Sequence, residues 1–253
     1  MPALFIYPTP SQPAPNGLRR VLLSWSSGKD SAWALHLLRR RRDIQVIGLL
    51  TTVCEVYRRV SMHAVREHLL RAQAASVGLP LWQVEIPSPC SDIEYRSAMR
   101  HAMDHARREA VAAVAFGDLF LEDVRRYREE RMLEADIEAL FPLWGMPTAE
   151  LGRAVVANGL KARVTCLDPK LLSPSLAGRC YDNAFLDELP PAVDPCGERG
   201  EFHTFAYDGP MFSSPIRTAR GEVVKRDGFV FADLLPVVEN GEVDHLETAR
   251  LGG

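Results

Sequence analysis

Val21-Leu22-Leu23-Ser24-Trp25-Ser26-Ser27-Gly28-Lys29-Asp30-Ser31 passes from an apolar run through a Ser/Gly loop into a segment where Ala32, Leu35 and Leu38 recur at helical spacing. A short buried strand followed by a helix is the unit this pattern predicts. The loop lies where the helix begins. Unpaired N–H groups and a partial positive charge there favour phosphate. Gly28 permits close backbone approach, Lys29 adds a full charge, and Ser24, Ser26, Ser27 and Ser31 supply hydroxyl donors. Asp30 would repel phosphate unless it caps the helix or holds a bridging Mg²⁺. A Walker A loop is excluded, because it needs glycine where Leu23 stands and Ser or Thr where Asp30 stands.

Working outward, the alternation repeats. Ile44–Leu50 reads as a buried strand, and Val65, Leu69, Ala72 and Ser76 mark one face of a helix. Glu67 and Arg71 pair on its exposed side. Leu81–Ile86 is a third strand, and Ser91 with Glu94 forms a capping box opening a helix to about Ala110. Val111–Phe116 is a strand covered on both faces. A charged helix over 122–136 leads to Leu140-Phe141-Pro142-Leu143-Trp144, a last short strand and its exit. Strands alternating with helices predict an α/β fold with a parallel sheet and right-handed crossovers. Beyond residue 146 the pattern changes: a helix at Thr148–Ala157, a strand at Ala162–Leu167, then Gly/Pro-rich loops and short strands including Gly228–Phe231.

The expected organisation is a flexible proline-rich lead-in over 1–17, a nucleotide-binding domain over 18–145, and a smaller domain over 146–253 completing the site. The 253 residues suffice for that arrangement, and the 47% hydrophobic content can fill its core. A net charge of −3 argues against non-specific nucleic-acid binding. Five cysteines without CxxC spacing suit a reduced cytoplasmic protein better than a disulfide or zinc framework. No apolar run reaches the ~20 residues of a membrane helix. Arg39–Arg42 reads as a solvated helix end. Arg125, Arg126, Arg128 and Arg131 alternate with glutamates as an exposed salt-bridged helix, close enough to Gly117-Asp118 for one or two to reach the site. Ser26–Ser31, Thr51-Thr52 and Gly117-Asp118 all fall at the carboxyl ends of strands, where open α/β sheets bind ligands. His63 is a further candidate beside them.

The loop resembles the SxGxDS loop of the PP-loop ATP pyrophosphatases (adenine nucleotide α-hydrolase superfamily), with Ser27 where many members have a second glycine. Asp194-Pro195-Cys196-Gly197-Glu198-Arg199-Gly200-Glu201-Phe202-His203-Thr204, with Gly117-Asp118 and Phe141-Pro142-Leu143-Trp144, is similar to the diphthine–ammonia ligase family. The resemblance runs from about Leu22 to Phe212. It implies a five-stranded HUP-type (Rossmann-like) sheet, a smaller C-terminal α+β domain, and ATP with Mg²⁺ held between them. It also implies chemistry in which a carboxylate becomes an acyl-adenylate and ammonia then forms the amide.

Carried onto this chain, ATP would meet Ser24, Ser26–Ser31, Thr51, Thr52, Gly117 and Asp118, and Mg²⁺ would meet Asp30. Glu198, Glu201 and Thr204 would bind substrate, and Lys29, Asp30, Glu201 and His203 would be catalytic. Glu201 and His203 would share one side of an extended segment. Diphthamide-forming members carry a second acid where His203 stands, and the Arg- and Ala-rich composition has a bacterial character, whereas diphthamide is archaeal and eukaryotic. The acceptor, a small-molecule or protein-borne carboxylate, is therefore left open, as is a homo-oligomer. A nucleotide sensor or hydrolase without ligase activity and a tRNA-modifying PP-loop enzyme are the competing functions.

Overall fold

The computed structural model describes residues 5–6, 17–60 and 65–237; the proline-rich stretch over 7–16 and His63 lie outside the described residues. In chain order, the first half comprises β1 (Phe5–Ile6), β2 (Arg19–Ser24), α1 (Lys29–Leu38), β3 (Ile44–Cys54), β4 (Arg59–Val60), α2 (Glu67–Val77), β5 (Leu81–Ile86), α3 (Asp92–Arg108), β6 (Ala113–Ala115), α4 (Glu122–Glu134) and β7 (Glu138–Leu140). There follow α5 (Thr148–Ala157), β8 (Lys161–Leu167), β9 (Cys180–Tyr181), α6 (Asn183–Glu188), β10 (Phe202–Asp208), β11 (Thr218–Arg226) and β12 (Phe229–Pro236).

Five parallel strands form the first sheet in the order β5-β3-β2-β6-β7, extended by the antiparallel pairings of β1 on β5 and β4 on β3. The chain winds outward from β2 to β5, then returns to β2 and builds β6 and β7 on its other side. The reversal between β2 and β6 is the topological switch point, where such sheets bind ligands. Leu22, Val114, Trp82 and the α3 residues Ala98, Ala102 and Met103 form one core layer. Leu23, Leu35, Leu38, Leu69 and Leu70 form the other, which continues without a break into Val164, Phe202, Phe205 and Val230 of the second sheet. That second sheet is antiparallel, ordered β10-β8-β12-β11 with β9 on β8. The fold is thus α/β with a smaller α+β unit docked on the α1–α2 face.

The Ser91–Glu94 capping box is present, and Thr148–Ala157 is helical. Four local expectations are corrected. The strand read as Val111–Phe116 is confined to Ala113–Ala115, and the last strand is Glu138–Leu140 because the chain turns at Phe141-Pro142. Glu67 is buried, not exposed, since Arg58, Arg71 and Gln83 all bond its carboxylate. Arg39, though exposed like Arg40–Arg42, is tied back by donating to the carbonyls of Met211 (2.9 Å) and Val77. The α4 arginines are paired as expected in part, through Arg125–Glu129 and Arg131–Glu134. However, Arg125 also covers Phe141 and Trp144, and Arg128 stacks on Phe116.

All five cysteines are free. Burial drives the Cys166 and Cys196 thiols up to about 12, so both behave as inert apolar groups. No helix among the described residues is long and apolar enough to cross a membrane.

Candidate functional site

The loop after β2 is shaped by its own serines. Ser27 sits at φ +67°, the left-handed region that favours glycine, which explains why glycine is common there in similar loops. Ser26 Oγ accepts from the Gly28 N–H (3.3 Å) and lies 3.2 Å from Ser31 Oγ. Ser31 Oγ in turn donates to the Gly28 carbonyl at 3.0 Å. Gly28 is close-packed: a Cβ there would fall 3.2 Å from the Thr204 carbonyl oxygen. A Cβ on Gly117, at the end of β6, would fall 3.2 Å from the backbone of Asp30 and Ser31. Both glycines therefore let backbone approach backbone around the first turn of α1.

One side of this loop opens on a cavity of about 740 Å³. Its polar end is made by Ser24, Ser26, Thr51 and Thr52 at the carboxyl ends of β2 and β3, and its floor by Met103, Val114 and Phe116. The volume falls in the ~300–1,000 Å³ range of small-molecule sites, and its apolar body with a few converging hydroxyls is their usual chemistry. With the helix start beside it and the two glycine approaches, these residues fit a nucleotide. Arg96 and Arg100 of α3 and Arg128 and Arg131 of α4 also face the cavity. Sequence reasoning reached α4 through its proximity to Gly117-Asp118, but missed the contribution of α3. Proximity of the helix after β5 to the switch point was the available signal.

The other side of the loop is a seam with the second sheet. Thr204 Oγ1 on β10 accepts from the Lys29 N–H at 3.1 Å, capping a helix whose own N-cap, Gly28, has no side chain to do so. The Ala206 N–H and Gln73 Nε2 both donate to the Ser27 carbonyl at 2.9 Å, and Gln73 Nε2 also reaches the Ala206 carbonyl at 2.6 Å. Trp25 Nε1 fixes the Gln73 amide by donating to its Oε1 at 2.9 Å. Gln73, wholly buried, was not singled out from the sequence. An amide among the apolar positions of α2 was the signal.

Lys29 turns away from the cavity. Its Nζ bonds Asp30 Oδ2 at 2.9 Å and the Cys196 carbonyl, beneath the rings of Tyr181 (5.3 Å) and Phe202 (5.4 Å). Burial opposes its charge, but Asp30, Cys196 and Glu198 outweigh that and raise its pKa. For Asp30 burial is the larger influence and raises the pKa, against the pull of Lys29. Glu198 accepts from the Leu119 N–H at 2.8 Å, tying the loop after β6 to the second sheet. Burial, reinforced by Asp30 and Asp118, lifts its carboxyl to about 7. Asp118 is clamped by Arg128, with contacts of 2.6 and 3.1 Å.

Glu201 is 2% exposed and accepts from the N–H groups of Asp194 (3.0 Å) and Arg199 (2.9 Å). It organises the 194–199 loop. A bulge follows His203 on β10. Burial, with Lys29 adding to it, lowers the imidazole pKa to about 4, so His203 is neutral at physiological pH. The structure thus divides the expected residues into two groups. Ser24, Ser26, Thr51 and Thr52 line the cavity, whereas Lys29, Glu198 and Thr204 bond across the seam and Glu201 bonds within its own loop; these four stand outside the lining, as do Asp30, Asp118 and His203. Among the described residues no group of three or more His, Cys, Asp or Glu could hold a metal.

Two family models match the chain in order. Residues 19–135 fit the profile of the diphthamide synthase N-terminal domain, and residues 148–232 fit that of the diphthamide synthase C-terminal domain. The human diphthine–ammonia ligase is 25% identical over 184 residues, covering 66% of this chain and 68% of the relative. The zebrafish (Danio rerio) diphthine–ammonia ligase is 30% identical over 178 residues, covering 63% and 68%. With a phosphate-type loop at the switch point, a second sheet closing its far side and both domain profiles matched in order, the chain belongs to the diphthamide synthase (diphthine–ammonia ligase) family of PP-loop proteins.

Proposed function

We propose that the protein is an ATP-dependent, AMP-forming ligase that joins a carboxylate to ammonia. The observation that carries this is the cavity beside the first turn of α1, lined by Ser24, Ser26, Thr51 and Thr52. ATP lies with its phosphates toward Ser26, Gly28 and Ser31 and its base over the apolar floor. The carboxylate oxygen of the acceptor attacks the α-phosphorus and pyrophosphate leaves. Ammonia nitrogen then attacks the acyl carbon, AMP leaves, and a proton is lost to solvent. Asp30 is the acid beside the loop that would meet a Mg²⁺ held chiefly by the nucleotide phosphates, and the ion would offset charge on the departing pyrophosphate. Preorganised donors at the departing pyrophosphate supply the main rate enhancement.

In this reading Lys29, Thr204, Glu198 and Glu201 hold the loop and its neighbours in place, and their loss acts through geometry. His203 presents a neutral ring where diphthamide-forming members present an acid, which changes the charge offered to the acceptor. The reading is tested by incubating the protein with ATP, Mg²⁺, ammonium and a panel of carboxylic acids, with Asp30→Ala as control. AMP and pyrophosphate in equal amounts, dependent on ammonium and acid, are expected. ATP binding without AMP under any condition would assign the site to a sensor instead.

A further inference from the structure

The cavity carries a feature that nucleotide binding at the loop does not use. Arg96 and Arg100 lie one turn apart on α3 and both face the cavity rim. Each is exposed, and among the described residues neither makes an ion pair or side-chain hydrogen bond. Asp92 and Asp104 stand four residues to either side, yet they form no ion pair with them. The other two arginines facing the cavity are neutralised, Arg128 by Asp118 and Arg131 by Glu134.

Helix electrostatics do not account for this pair. Cations complement the last turn of a helix, where His105, Arg107 and Arg108 already stand, whereas Arg96 and Arg100 lie before that turn, Arg100 at the midpoint of α3. Like charges four residues apart also repel. Two free guanidinium groups at a concave, partly apolar site are suited to forked hydrogen bonding of a carboxylate or a phosphate.

We propose that Arg96 and Arg100 form an anion-binding subsite at the cavity rim that seats a second acidic group of the acceptor. The acceptor is then a small di-acid, bearing a carboxylate or phosphate beyond the carboxylate that is activated. This rests on the ligase reading above, which supplies the activated carboxylate.

The test is calorimetric titration of the full chain with succinate, phosphoglycolate and acetate, and separately with α,β-methylene-ATP. Wild-type protein should bind succinate or phosphoglycolate about tenfold or more tightly than acetate, the size expected of a charge-assisted pair. Whichever of the two binds tighter identifies the group as carboxylate or phosphate. R96A/R100A should abolish that preference while leaving the dissociation constant for α,β-methylene-ATP within about twofold, and R96K/R100K should recover part of it. Both positions are exposed, so an unchanged melting temperature confirms the variants are folded. Di-acids that bind no tighter than acetate, or as well to R96A/R100A as to wild type, would overturn the subsite. So would a parallel fall in nucleotide affinity, which would give the arginines to the ATP phosphates. Wild-type protein that selects di-acids but ignores α,β-methylene-ATP would keep the subsite and remove the ligase reading instead.

Discussion

Thr204 caps a helix to which it is not joined. Its Oγ1, on β10 of the second sheet, accepts the N–H of Lys29 at 3.1 Å, the first residue of α1. The phosphate loop is therefore anchored from the far half of the chain. Thr204→Val keeps the shape and removes the acceptor, so it should cost about 1 kcal/mol, as for lost N-caps. Thr204→Ser should retain most of that. Urea denaturation measures both, and equal stability for wild type and Thr204→Val would remove the capping role.

Lys29 is the stronger tie. Removing its ammonium leaves Asp30 beside the Cys196 carbonyl without the compensating charge. Breaking a buried pair costs ~3–5 kcal/mol, and the partial exposure of Asp30 reduces this to roughly 2–4 kcal/mol for Lys29→Met. A variant that folds with wild-type stability but has lost ATP turnover would instead put Lys29 on the phosphates.

Ser27 holds a left-handed conformation that costs an L-residue roughly 1–2 kcal/mol, against about 0.5–1 kcal/mol of extra chain entropy for glycine. Ser27→Gly should therefore be between neutral and about 1.5 kcal/mol more stable. A loss above that size in denaturant titration would show that the hydroxyl outweighs the strain.

The two titrating groups near the loop act in opposite directions. Glu198 rises from 4.5 to about 7, so the folded state holds its proton longer, and that contribution is present below pH 4.5 and lost as pH rises through 7. His203 falls from 6.5 to about 4, so its contribution is present above pH 6.5 and lost as pH falls through 4. Relative to wild type, Glu198→Gln should make stability climb more steeply from pH 4.5 to 7, by roughly 1–2 kcal/mol after allowing for partial exposure. His203→Gln should make it climb less steeply from pH 4 to 6.5. Parallel stability–pH curves for the three proteins would contradict both assignments.

Much of the first sheet was legible because each buried strand is a short apolar run and each helix carries a visible period. The loop announced itself through Gly28 and its serines. What stayed hidden depends on contacts between distant segments. Glu67 looks like a surface partner of Arg71 until β3–β4 brings Arg58 onto it. Lys29 shows no distant partner in the sequence, because the Cys196 carbonyl and the Phe202 ring reach it only when β10 and the 194–198 loop close over it. Glu201 and His203 are two residues apart, yet Glu201 turns into its own loop, bonding Asp194 and Arg199, and a bulge follows His203. Helix α3 shows only an amphipathic pattern in sequence, and its arginines gain meaning from the cavity they face.

If this cavity directs ATP cleavage in the service of amide formation, the bond that breaks lies between the α and β phosphates. Phosphorus NMR of ATP incubated with the protein, Mg²⁺, ammonium and small di-acids reads that bond directly. AMP and pyrophosphate should appear together, only when acid and ammonium are both present, and not with Asp30→Ala. ADP and inorganic phosphate, or AMP formed equally without ammonium, would contradict it.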